Sequence, residues 1–172
     1  MDWSYDLLPE LEQLVLRRLA VFRGDFTMDA AAADAIDERL TTADVFEGVA
    51  NLATKSLVAT DISSDVTYHR LLDTTRAYAL EKLRESGEFE RTAFLHAAYY
   101  RSVLERAGFE AGTTPHDEWL ATYVRQIDNV SKALDWAFSP SGDPTLGGAL
   151  AVVALPLWMH LSLMNECRSR VE

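Results

Sequence analysis

The sequence predicts a mostly α protein: a winged-helix domain over residues 1–86, joined to an all-helical domain over residues 87–172 that reads as a bundle or the start of a TPR-like superhelix. Three observations carry that expectation. Two short β runs, Leu57–Asp61 and Val66–His69, are separated by four residues, as in a hairpin. Three amphipathic helical patterns precede them, and one follows directly in the stretch Tyr68–Leu83, YHRLLDTTRAYALEKL. Beyond Ser86-Gly87 the apolar residues recur only at helical spacing, with no β pattern competing.

The elements follow in order. Pro9 suits a first helical position, and Leu11, Val15, Leu19 and Phe22 form an apolar stripe that ends at Gly24. Thr27 caps a short Ala-rich helix, MDAAAADAI. Thr41 opens T-x-x-D with Asp44, a capping-box variant, ahead of a third helix carrying Val45, Val49, Leu52 and Ala53. After the hairpin, Asp73 or Thr74 is the expected cap of a helix with Leu72, Ala79, Leu80 and Leu83 available for one face. The second domain begins with a helix over Glu88–Ala107 and a loop over Gly108–Gly112. One long helix is expected next, over Asp117–Phe138 and opened by Thr114-Pro115. It would bury Leu120, Val124, Ile127, Leu134 and Phe138, with Trp119, Tyr123 and Val130 flanking. Asp143-Pro144 caps the last helix.

Composition narrows the function. With 48% hydrophobic and 25% charged residues among 172, the chain has the balance of a soluble globular protein. Its net charge is −11, spread over both halves: residues 1–86 carry 9 Lys/Arg against 16 Asp/Glu, the remainder 7 against 11. That balance works against the phosphate attraction behind most nucleic-acid affinity. A single cysteine, Cys167, allows no internal disulfide and fits a reducing cytoplasm. The opening MDWSYDLLPE lacks the basic and apolar regions of a signal peptide. Leu146–Met164 is 19 residues without a formal charge, near the length of a membrane span. Pro156, His160, Ser162 and the two glycines at its start favour a buried helix instead, leaving a membrane anchor as the lesser alternative.

No catalytic pattern emerges, and neither a cofactor nor a metal is expected. Gly48–Ser56, GVANLATKS, lacks the second glycine of a phosphate-binding loop, and its lysine comes one place late. His69, His96, His116 and His160 have no metal-ligand spacing. Asp37-Glu38, Asp117-Glu118 and Glu88/Glu90 sit where solvated faces and helix starts are expected. Direct DNA binding is not expected either. The groove-reading helix would be Thr42–Lys55, where Asp44 and Glu47 oppose only Lys55, and the wing residues Asp61, Ser63, Ser64 and Asp65 include no Lys or Arg. A DNA-binding winged helix stands as the alternative reading.

Several stretches, in order, resemble the region after the nucleotide-binding core of STAND-class signalling ATPases, in particular bacterial LuxR/AfsR-like transcriptional regulators and related predicted ATPases. They are Trp3–Ala31, Leu52–Asp61, His69–Glu88 (HRLLDTTRAYALEKLRESGE), His96–Ala107, Glu118–Phe138 and the final ALPLWMHLSLMNECRSRVE. The resemblance implies a regulatory hinge between an ATPase core ahead of Met1 and further helical repeats after Glu172. Trp3, Tyr5, Leu7 and Leu8 would pack on that core, and Trp158 and the apolar helix 146–164 on repeats or on a second copy. Related proteins carry a nucleotide-contacting Met-His-Asp at the hairpin-to-helix junction. That signature falls here on Leu71-Leu72-Asp73, with leucine in place of histidine and His69 two places early. His69 and Asp73 are therefore weak candidates for nucleotide sensing, and Asp73 reads first as a helix cap.

Overall fold

The computed structural model describes residues 5–63 and 66–160, and is mostly helical with one small antiparallel hairpin. The chain divides into two units between Ala93 and Phe94, where the sequence places the boundary after Ser86.

The first unit is winged-helix-like: helices α1 (Glu10–Leu19), α2 (Met28–Ala35) and α3 (Thr42–Thr54), strands β1 (Val58–Asp61) and β2 (Tyr68–Leu71), then helix α4 (Asp73–Glu85). Its caps are largely those read from the sequence. Thr27 accepts from Ala30 N at 3.3 Å. Thr41 Oγ1 accepts from Asp44 N at 3.2 Å while Asp44 Oδ2 accepts from Thr41 N at 2.8 Å, a complete capping box. The core gathers Val15, Leu19 and Phe22 with Phe26, Ala31, Leu40, Val45, Val49, Leu52, Ala79 and Leu83. Val15 packs so closely on α3 that a Cβ at Gly48 would stand 2.8 Å from Val15 Cγ2. Only glycine lets the two helices approach that far.

Helix α3 ends in a left-handed turn. Ser56, at φ 59°, donates to Ala53 O at 3.0 Å, and Leu57 N donates to Leu52 O at 3.0 Å. This is a Schellman motif with serine where glycine is favoured, so no breaker in the sequence announces it. Gly87, at φ 74°, occupies the equivalent position after α4, the stop that Ser86-Gly87 predicts.

The hairpin departs from expectation in the bounds of its second strand. Val58 pairs with Leu71 and Asp61 with Tyr68, so the second strand is Tyr68–Leu71 and leaves Val66 and Thr67 outside the ladder. The shift buries Val58, Tyr68 and Leu71 together. Phe26 adds a bridge on the far side of β2, exchanging backbone hydrogen bonds with His69 at 2.8 Å each way. The start of α4 is also corrected. Leu72, extended and half-exposed, is the N-cap residue, and Asp73 lies one position inside the helix without a capping bond. It contributes only as an acid in the first turn.

Helix α5 (Phe89–Glu110) begins in the first unit and continues into the second. It runs through Gly108, where a loop was expected. In the second unit the expected long helix is two, α6 (His116–Val124) and α7 (Ile127–Ala137), parted at Arg125-Gln126 without glycine or proline. The break resets the helical phase. Trp119, Tyr123 and Val130, expected to flank the stripe, are buried, while Val124 and Phe138 are exposed. Trp119 Nε1 donates to Ala107 O at 2.8 Å and Tyr123 OH to Glu110 Oε2 at 2.6 Å, so both rings satisfy their polar ends. Asp143 Oδ1 accepts from Thr145 N and Leu146 N at 2.9 and 3.0 Å, opening α8 (Pro144–His160). Among the described residues no helix is long and apolar enough to cross a membrane.

Candidate functional site

The residues singled out by sequence are scattered. His69 is buried in the hairpin, its Nδ1 3.2 Å from Thr60 Oγ1 and its ring 5.9 Å from that of Phe26. Burial holds its imidazole below the ordinary histidine value, which favours a neutral ring. Asp73 is exposed at the start of α4. Of the residues expected to pack on a core domain, Trp3 lies outside the described residues. Tyr5 and Leu8 are instead buried within the first unit: the Tyr5 ring meets Tyr78 edge-on at 5.6 Å, and its hydroxyl reaches Gln13 O at 3.4 Å. Leu7 alone of the described three is exposed, at 64%. Trp158 is buried in the second unit and therefore offers no contact surface, whereas Val152, Leu155 and Met159 of the same helix are exposed.

The surface that would meet DNA can be read directly. Along α3 the exposed positions are Thr42, Ala43, Phe46, Glu47, Ala50 and Thr54, with Asp44 half-buried by its capping bonds. Lys55, the cation that follows, pairs with the buried carboxylate of Glu12. At the wing, Asp61 Oδ1 accepts from Ser63 N at 2.9 Å, and Ile62 is 77% exposed with Val66 beside the tip. Arg70 on β2 is the hairpin's cation. The presented face is thus apolar and acidic where direct readout needs Arg, Lys, Asn or Gln aimed at base edges.

The strongest assembly of polar groups was missed by sequence reading. Arg18 of α1 is 1% exposed. Its Nη1 donates to Ala35 O at 2.6 Å, and its Nη2 to Asp37 Oδ2 at 2.5 Å and Glu88 Oε1 at 3.1 Å. Arg17 Nε donates to Glu88 Oε2 at 3.1 Å, Arg39 pairs with Glu88 Oε1, and Arg91 Nη1 lies 3.7 Å from Asp37 Oδ2. Asp37 also accepts from Arg39 N at 2.8 Å and Leu40 N at 3.2 Å, closing the turn between α2 and α3. The Arg18 hydrogen bond, above all, holds the Asp37 carboxyl well below the ordinary carboxylate range. Asp37 and Glu88, expected on solvated faces, are therefore the anchors of a clamp. Its members come from three short segments far apart in the sequence, Arg17-Arg18, Asp37–Arg39 and Glu88–Arg91, and no spacing rule joins them. Among the described residues no group of three or more His, Cys, Asp or Glu side chains is placed to hold a metal ion.

Comparison with known proteins gives relatives but no fold template. The chain is 36% identical over 166 residues to proteins of Mycobacterium tuberculosis (strain ATCC 25618 / H37Rv) and Mycobacterium bovis (strain ATCC BAA-935 / AF2122/97), each named "Putative HTH-type transcriptional regulator". The match covers 96% of this chain and 18% of each relative, so the chain spans about a fifth of their length. An uncharacterized protein of the same Mycobacterium tuberculosis strain is 42% identical over 107 residues, 62% of this chain and 26% of that protein. No family model matches, and no solved structure matches.

Proposed function

We propose that this chain is a non-catalytic regulatory segment of a larger cytoplasmic transcriptional regulator, and that its winged helix packs against protein rather than DNA. One observation carries the reading. The face of α3 that would enter a groove presents Phe46, Ala50, Glu47 and Asp44, and its neighbouring cation is already paired with Glu12. Such a face suits an apolar, basic partner surface within the same protein and opposes a phosphate backbone. The names of the mycobacterial relatives support the regulatory role. The ordered resemblance to STAND-class regulators supports the finer assignment of a hinge. In it, an ATPase core precedes this segment, TPR-like repeats follow, and ligands bias a closed-to-open equilibrium.

The second reading, a DNA-binding winged helix, is favoured by the helix-turn-helix named in those relatives. Electrophoretic mobility shift of the full chain at low salt separates the two: the packing role gives no sequence-dependent complex, the DNA-binding role gives one. Calorimetry with ATP tests the hinge. Background heat is expected from a segment that holds no phosphate-binding loop, and micromolar binding overturns it.

A further inference from the structure

Helix α8 carries no Asp, Glu, Lys or Arg over its whole length. One side of it is used inside the second unit. Leu146, Leu150, Ala154, Leu157 and Trp158 are buried, and a Cβ at Gly147 would stand 3.0 Å from Ala137 Cβ of α7. The opposite side is nearly as apolar and faces outward. Thr145, Gly148, Val152, Leu155 and Met159 are all exposed, and their alternating three- and four-residue spacing sets them in one straight seam along the helix. A Cβ added at Gly148 meets nothing within 4 Å. A helix that is apolar on every side is normally surrounded. A seam of this spacing is the footprint of a second helix lying along the first at a shallow angle.

We propose that this seam is a homodimerisation surface, covered by α8 of a second copy of the chain in antiparallel alignment. The seam is complementary to itself. A two-fold axis between Val152 and Leu155 sets Gly148 opposite the copy's Met159 and Val152 opposite the copy's Leu155, and the same pairs repeat beyond the axis. The flexible Met159 side chain then fills the space that Gly148 leaves open, and each helix N-terminus lies toward its partner's C-terminus. Charge favours the same occupant. Two copies of a chain of net −11 repel over most of their surface, and they meet at least cost through a seam that holds no charge. Area sets the strength. Val152, Leu155 and Met159 are 65%, 38% and 63% exposed, roughly 300 Å² per copy, so the pair falls below the ~1,200 Å² of a standard interface. The dimer is therefore transient, with a dissociation constant on the order of 10–100 µM. It is independent of what the winged helix meets.

The test is analytical ultracentrifugation of the full chain from about 1 µM to about 1 mM, a range that brackets the expected affinity. A reversible rise from monomer to dimer mass is expected. Gly148→Leu should weaken the dimer about tenfold or more, because the new side chain takes the space assigned to the copy's Met159. Its helicity by circular dichroism should be unchanged or higher, since the site is open and leucine is the better helix former. Phe109→Ser, at an 84% exposed position on α5, is the control for general stickiness and should leave the dimer intact. Register is read by cross-linking in a Cys167→Ser background. Mixed Gly148→Cys and Met159→Cys chains should form disulfides between unlike chains, because like sites stand roughly 16 Å apart along an antiparallel pair. A chain that stays monomeric at the highest concentration leaves the seam to a different helix and overturns the proposal. A dimer lost equally with Phe109→Ser, or cross-links that join like sites, would overturn it as well.

Discussion

Replacing Arg18 by Met keeps most of the side-chain volume while removing every polar contact the buried guanidinium makes. Three losses follow. Ala35 O gives up its 2.6 Å bond, Asp37 its 2.5 Å partner, and Glu88 one of three arginines. Stripping one partner from a buried ionic group typically costs about 3–5 kcal/mol. The low end applies here, because Arg39 and Arg91 remain near Asp37 and Arg17 and Arg39 remain on Glu88. About 3 kcal/mol corresponds to roughly two decades in the opening equilibrium of the first unit. Three of the four tryptophans, Trp119, Trp136 and Trp158, lie in the second unit, so fluorescence reports mainly on that unit. Hydrogen exchange at the amides of α1 and α3 in the full chain is the assay. The pH dependence adds a sign. Asp37 has a folded value below its unfolded one, so its stabilisation is present above the ordinary carboxylate range and is lost as pH falls toward the folded value. Arg18→Met should flatten that acid limb. Protection within a factor of a few of wild type at neutral pH, with the acid limb unchanged, would refute the clamp as a source of stability.

Four further outcomes are expected. Gly48→Ala, whose Cβ meets Val15 Cγ2 at 2.8 Å, should cost about 1–3 kcal/mol in urea unfolding, and Val15→Ala in the same chain should restore part of it. Ser56→Gly should raise stability by about 1 kcal/mol, since glycine relieves a left-handed serine at the end of α3; an unchanged midpoint would contradict the Schellman turn. The His69 imidazole should titrate below 6.5 by NMR, its neutral ring destabilised only once pH drops under the unfolded value, and a midpoint at or above 6.5 would contradict its burial. Val152→Asp/Met159→Asp on the exposed side of α8 should reduce self-association in light scattering, and a monomeric wild type would show that this face needs no second copy.

What the sequence made legible was local. Thr27, Thr41 with Asp44, and Asp143 announce their helices through side chains that bond within three residues, and Pro9 and Gly87 mark ends through backbone constraint. Where distant packing decides, the reading slips. The two-residue shift of β2 is set by burying Leu71 against Val58 and by the bridge from Phe26, neither visible in Val66–His69 alone. The break at Arg125-Gln126 carries no breaker residue, and the phase on its far side changes with it. Least legible was the arginine clamp. Its members span Arg17 to Arg91, and charged residues at helix ends read as solvated until their partners are placed beside them.

The most direct check on a winged helix turned toward protein is equilibrium anisotropy of the full chain with labelled duplex DNA at low salt. The expected result is no affinity above that of an acidic control protein, whatever the duplex sequence. Binding that discriminates among sequences, falls steeply with salt and weakens on Arg70→Ala would contradict it.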